Sequence, residues 1–244
     1  MNKLKRVFIF GAGSGIGQAV FNEFNSLSSD QNPEKTEVYG FSRSGQSSLA
    51  RLTPNTNHKF DLTSDSDFQT WETAWQKEWK SWETSEEKSE FVVYFAQGDG
   101  FFSSVEDLNL VEIQKHFSLN LFSSMRVLKI MSLALKSSLP ATIVFFTSTA
   151  ARQGFPNSTV YCASKHAASG LAKALREEWK PFGTKVINAY LGAIATSIWD
   201  NRPEFSKEDM VSVKDAAVFL HGLAYLPDTV YLEEFYMTPK KGIL

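Results

Sequence analysis

The chain has 244 residues, with 25 Lys and Arg against 27 Asp and Glu and a net charge of −2, so there is no electrostatic case for binding nucleic acid or an anionic membrane surface. A hydrophobic share of 43% and a charged share of 21% exclude wholesale disorder and a fibrous repeat. The one cysteine, Cys162, excludes an internal disulfide and fits a reducing compartment, and no apolar run approaches the ~20 residues of a membrane span.

In chain order, the pattern predicts strands over Arg6–Phe10, Glu37–Phe41, Phe91–Phe95, Thr142–Thr147, Lys185–Tyr190 and Val230–Met237. Several are nearly continuous apolar runs, as in strands covered on both faces. The apolar part of the first, Val7–Phe10, is too short for a secretion signal, so the protein is expected in the cytoplasm. Between the strands, Ile16, Val20 and Phe24 share one helical face, Leu171, Leu175 and Trp179 share another, and Val111–Leu135 is a long helix-compatible stretch. Ser28–Lys35 and Glu83–Glu90 read as surface loops, too short to link domains. Alternating strands and helices imply a doubly wound, mainly parallel sheet of the Rossmann type in three αβα layers, as one domain over residues 1–244.

Trp71, Trp75, Trp79 and Trp82 lie on one helical stripe. The stripe is either an aromatic binding strip or, as expected of most such stripes, a face packed on the sheet.

The first strand runs into Gly11-Ala12-Gly13-Ser14-Gly15-Ile16-Gly17 and then a helix. Glycine lets the chain turn tightly and lets backbone N–H groups approach a ligand, while the helix N-terminus attracts phosphate oxygens. In this position the turn predicts a dinucleotide site. The second strand ends in Ser42-Arg43, where a dinucleotide fold meets the adenosine ribose. An acid there would suit the 2′-hydroxyl of NAD. A hydroxyl and a guanidinium suit the 2′-phosphate, so NADP is expected in preference to NAD. Ser148 precedes Tyr161 by thirteen residues, and Tyr161 and Lys165 sit four apart on one helical face. An ammonium beside a phenol is expected to lower its pKa and make it a proton donor or acceptor near neutral pH. The four histidines, His58, His116, His166 and His221, show no ligand spacing, so no metal is expected.

Taken together, these motifs resemble the short-chain dehydrogenase/reductase family from Val7 to about Met237. The resemblance implies cofactor contacts from Gly11, Ser14, Gly15, Ile16, Gly17, Ser42, Arg43, Asp61, Leu62, Ala96, Gly192, Ile194 and Thr196. It implies a catalytic set of Asn120, Ser148, Tyr161 and Lys165. In that set Tyr161 exchanges the proton, Ser148 polarises a carbonyl oxygen, and Lys165 tunes the phenol and holds the nicotinamide ribose. Asn120 anchors a water leading to Lys165. The implied activity is hydride transfer between NADP(H) and a small carbonyl or alcohol. A cofactor-binding sensor without turnover, or a structural subunit, are the other readings.

Three positions depart from the family pattern: Phe10, the stretch Tyr94-Phe95-Ala96-Gln97, and Leu191. Phe10 and Phe95 are expected to pack together where the family has polar groups. Asp99–Ser103, Ala150–Pro156 and a substrate loop over 197–210 should form the substrate walls. Phe101, Phe155, Trp199 and Phe205 would make these walls aromatic. The family's dimer face maps to two helices bearing Ser123, Ser124, Ala163, Ala167, Gly170 and Ala174, which implies a homodimer or homotetramer. Glu233–Leu244 lacks the family's frequent glycine-rich finish.

Overall fold

The computed structural model describes residues 4–26, 35–86, 89–137 and 141–243. Seven parallel strands form one sheet: β1 (Leu4–Phe10), β2 (Thr36–Ser42), β3 (Thr56–Lys59), β4 (Ser89–Phe95), β5 (Ala141–Ser148), β6 (Lys185–Leu191) and β7 (Glu234–Met237). Their order is β3-β2-β1-β4-β5-β6-β7. The helices are α1 (Gly15–Ser26), α2 (Asp65–Glu83), α3 (Leu110–Phe117), α4 (Ser123–Ser137), α5 (Thr159–Trp179) and α6 (Val213–Gly222). The chain runs outward from β1 in one direction through β2 and β3, then returns to β4 and continues the other way. The C-terminal ends of β1 and β4 therefore diverge and open a crevice, which is where such sheets bind ligands.

Side chains alternate across β1 and sort into two cores. Phe8 and Phe10 enter a layer with Tyr39, Phe41, Trp71, Trp75, Phe91, Phe95 and Phe145, beneath α2, α4 and α5. Val7 and Ile9 enter a more aliphatic layer with Val38, Val144, Ile187 and Leu220, beneath α1 and α6. The three-layer architecture is the one expected.

Phe10 and Phe95 stack with ring centroids 5.8 Å apart. They belong to a row across four strands, since Phe41 stacks on Phe10 at 4.8 Å and Phe145 meets Phe95 at 4.8 Å. The register pairs Phe10 with Phe41 and with Phe95, and Phe95 with Phe145, so the row follows the sheet. Ring packing thus joins the strand ends beside the glycine turn.

The tryptophan stripe is a packed face. Ser64 caps α2 by accepting from the Asp67 N–H, with Asp65 and Asp67 in the first turn favouring the helix dipole. Trp71 and Trp75 are fully buried in the aromatic layer, and Trp79 and Trp82 pack against it half-buried.

Four expectations need correction. The stretch Val111–Leu135 is not one uniform helix: α3 and α4 are joined by a π-helical turn, Ser118–Phe122. The last strand begins at Glu234 rather than Val230, because Val230 and Tyr231 are exposed and pair with no neighbour strand. Ser123 and Ser124 are buried and receive hydrogen bonds from Gln97, so they face inward, away from any surface that α4 offers a second copy. Glu83 closes α2 and Ser89–Glu90 open β4, so only the middle of that expected loop is connection. Residues 28–34 and 87–88 lie outside the described residues. Among the described residues no helix is long and apolar enough to cross a membrane.

Candidate active site

A cleft of about 1640 Å³ lies at the C-terminal ends of the strands. It is larger than the several hundred Å³ typical of a single small-molecule pocket, so it has room for an extended ligand and a second molecule beside it.

One end of the cleft is the glycine turn. Gly11 has φ +94°, and a Cβ there would sit 2.5 Å from Gln97 N and 2.7 Å from the Ala96 carbonyl carbon. Its N–H and that of Ala12 donate to the Phe41 carbonyl, which ties the turn to the end of β2. Gly17 does not line the cleft. Its α-carbon presses on the turn, where a Cβ would lie 2.3 Å from the Gly11 oxygen. Ser14, Gly15 and Ile16 line the cleft at the start of α1, whose first-turn N–H groups have no intrahelical acceptor. This bare, backbone-rich cradle beside a helix N-terminus fits a pyrophosphate.

Further along, Ser42, Arg43, Asp61 and Leu62 line the wall. Ser42 donates to Asn57 Oδ1 at 3.0 Å, while Arg43 is exposed at the cleft edge. The Asp61 carboxylate already accepts from Thr63, through N–H at 2.9 Å and hydroxyl at 2.7 Å. Ala96, Gly192, Ile194 and Thr196 also line the cleft. Gly192 N–H donates to the Met237 carbonyl, and the Thr196 side chain reaches within 3.5 Å of where a Gly15 Cβ would lie. The segment after β6 thereby arches back over the glycine turn.

The other end gathers Ser148, Tyr161 and Lys165. Ser148 terminates β5, and Tyr161 and Lys165 come from the first turns of α5. Ser148 lies beside the Tyr161 hydroxyl, and its Oγ accepts from the Ala150 N–H at 3.1 Å. The Lys165 ammonium is 5.7 Å from the Tyr161 ring centroid and donates to the Phe146 carbonyl at 3.1 Å. Burial pushes the Tyr161 hydroxyl above the usual phenol range, with the neighbouring Ser148 hydroxyl pulling the other way. That corrects the expected lowering by Lys165. Burial pulls Lys165 itself down to about 8, and its nitrogen is turned to a carbonyl rather than to the phenol oxygen.

Asn120 sits in the π turn, buried behind the cleft. Its Oδ1 accepts from the Asp99 N–H at 3.1 Å and its Nδ2 donates to the Asp99 carbonyl at 3.2 Å. The amide is thus clamped to the loop after β4, across Gly98 from Lys165. His116, to which the sequence assigns no role, contacts Asn120 Nδ2 at 3.1 Å. Gln97, also unassigned, is buried with Oε1 lacking a hydrogen-bond partner. Neither has a local signal, since their partners lie on other elements.

The three expected loops all contribute to the cleft, with one exchange. Phe102 lines it and lies 5.8 Å from the Tyr161 ring, whereas Phe101 turns away to pack on His116. Phe155, Trp199 and Phe205 line it as expected. Arg202 stacks on Phe102 and Phe205, each at 4.6 Å, and so bridges the loop after β4 to the loop after β6.

The family model for the short chain dehydrogenase matches residues 91–207. The NADPH-dependent 1-acyldihydroxyacetone phosphate reductase of Saccharomyces cerevisiae is 38% identical over 91 residues, covering 37% of this chain and 30% of that protein. The probable short-chain type dehydrogenase/reductase VdlC of Helicobacter pylori is 37% identical over 95 residues, covering 39% of this chain and 35% of its own. The matched stretches thus span about a third of these relatives' lengths. A short-chain dehydrogenase/reductase structure from Vibrio parahaemolyticus superposes with a TM-score of 0.69 at 25% identity, over 95% of this chain and 98% of that one. An alcohol dehydrogenase from Thermococcus sibiricus shares the fold with a TM-score of 0.74 at 21% identity, over 98% and 97% of the two chains.

Proposed function

The chain belongs to the short-chain dehydrogenase/reductase family, and on that premise we propose that it is an NADP(H)-dependent oxidoreductase acting on a small carbonyl or alcohol with an apolar or aromatic body. The observation that carries this reading is that Tyr161, with Ser148 and Lys165 beside it, opens into the same cleft as the glycine turn.

The glycine turn, Arg43, Asp61, Leu62, Ala96, Lys165 and the Gly192–Thr196 segment would hold NADPH, which would supply the hydride. The protein's part is positioning and proton delivery. Tyr161 keeps its proton through neutral pH because burial raises its pKa, and so it donates from its hydroxyl to the carbonyl oxygen. Ser148 donates a hydrogen bond to the same oxygen and holds it in line with Tyr161. Lys165 holds positive charge beside the phenolate that remains. Phe102, Phe155, Trp199 and Phe205 exclude water from the reacting carbon and favour an apolar substituent. The exposed Ala163, Gly170 and Ala174 of α5 offer a close-packing face for a homodimer or homotetramer, and the free Cys162 suits the cytoplasm.

NADP preference rests on Arg43, together with the absence of an acid at the end of β2, and agrees with the NADPH dependence in the name of the Saccharomyces relative. Arg43→Ala should weaken NADP binding roughly 10- to 100-fold, as expected for a lost charged hydrogen bond, and leave NAD binding nearly unchanged. Dissociation constants from cofactor fluorescence test this. Equal losses for both nucleotides, or tighter binding of NAD by the parent chain, would refute the preference.

A further inference from the structure

Behind the catalytic centre, four side chains close a ring of contacts that the family resemblance does not explain. Asp99 follows β4, His116 is in the last turn of α3, Asn120 is in the π turn and Ser164 is on α5. His116 Nδ1 lies 2.9 Å from Asp99 Oδ1, and Nε2 lies 2.9 Å from Ser164 Oγ and 3.1 Å from Asn120 Nδ2. Ser164 Oγ is also 2.8 Å from the Tyr161 carbonyl oxygen, which it can reach as donor. The Asp99 backbone grips both ends of the Asn120 amide. His116 is 3% exposed, whereas the Asp99 side chain is 61% exposed. The ring therefore has a dry end at Asn120 and Ser164 and a wet end at the carboxylate.

We propose that Asp99 and His116 are a positioning pair that fixes the Asn120 amide and sets a negative charge at the cleft wall near Tyr161 and Lys165. Gly98 makes the approach possible: a Cβ there would lie 3.3 Å from Asn120 Oδ1 and 3.4 Å from Lys165 Nζ, and its φ is +150°. With no side chain between them, the amide and the ammonium face each other across the backbone that leads directly into Asp99. The groups facing Asp99 are His116 from α3 and, through space, Tyr161 and Lys165 from α5, with the Cys162 thiol next to Tyr161. The Asp99 charge raises both Tyr161 and Lys165, opposing the burial that pulls Lys165 down. It thereby keeps the ammonium charged and the phenol protonated to higher pH than burial alone would allow.

The proposal extends the reductase reading, and its first test is independent of activity. Asp99→Asn keeps an acceptor for His116 at an exposed site and removes only the charge. In cofactor-free protein the Lys165 Cε resonance, assigned by its loss in Lys165→Met, should titrate with a midpoint near 8 in the parent. In Asp99→Asn that midpoint should fall by about half a unit, the scale of one nearby, partly solvated charge. The alkaline limb of the pH profile for carbonyl reduction should move the same way. An unchanged midpoint in Asp99→Asn overturns the proposal. If the midpoint moves but the parent reduces no carbonyl, the pair stands and the reductase reading falls.

Discussion

Tyr161→Phe should lower turnover roughly a thousandfold, within the range for loss of a positioned general acid, while NADP binding stays close to that of the parent. The substitution removes one oxygen and keeps the ring, so the packing of Phe102 and His116 against it is retained. The Ser148 side chain caps the turn after β5, a role that does not depend on the phenol. Loss should therefore appear in kcat, with KM and cofactor affinity little moved. A near-normal kcat would remove Tyr161 from the proton path and transfer the role to another group in the cleft.

Gly11→Ala should damage both the fold and the cofactor end of the cleft. Its φ of +94° is one that L side chains rarely adopt, and the new Cβ would meet Gln97 N at 2.5 Å and the Ala96 carbonyl carbon at 2.7 Å. Both are backbone atoms at the end of β4, so no side chain can swing aside. Backbone strain and the forced separation of β1 from β4 together should cost about 3 kcal/mol or more. They should also weaken NADP binding at least about tenfold by displacing the first-turn N–H groups. The contrast is Gly222→Ala at the end of α6, away from that α5 face, where a Cβ would meet nothing within 4 Å and helix propensity should leave stability unchanged or raise it by less than about 1 kcal/mol. Urea unfolding midpoints for the two variants test the pair. A Gly11→Ala midpoint equal to the parent's would contradict the steric account.

The elements legible in the sequence were those whose signal is local. The apolar runs marked β1, β4 and β5, and the glycine turn and the Tyr161–Lys165 spacing fell where the pattern put them. The short edge strand β3, Thr56–Lys59, had no apolar run to mark it. Helix α6 carries little apolar signal in the sequence because its buried side is narrow, limited to Ala216, Ala217 and Leu220. The roles of Asp99 and His116 were illegible for a different reason. His116 meets Asp99 seventeen residues away and Ser164 forty-eight away, so no window of sequence contains the ring. The direction of the Tyr161 shift likewise depends on burial, which only the packed fold supplies. Sequence spacing put an ammonium near a phenol but could not show that the ammonium turns to the Phe146 carbonyl.

The central claim is that this cleft moves hydride from a nicotinamide to a carbonyl carbon. The direct measurement is mass analysis of products from a panel of small apolar and aromatic carbonyl compounds, incubated with the protein and NADPH deuterated at the transferring position of the nicotinamide. The account predicts an alcohol carrying one deuterium on the former carbonyl carbon, formed by the parent and lost in Tyr161→Phe. NADPH bound at the cleft with no labelled alcohol from any member of the panel would contradict it and leave a cofactor-binding sensor.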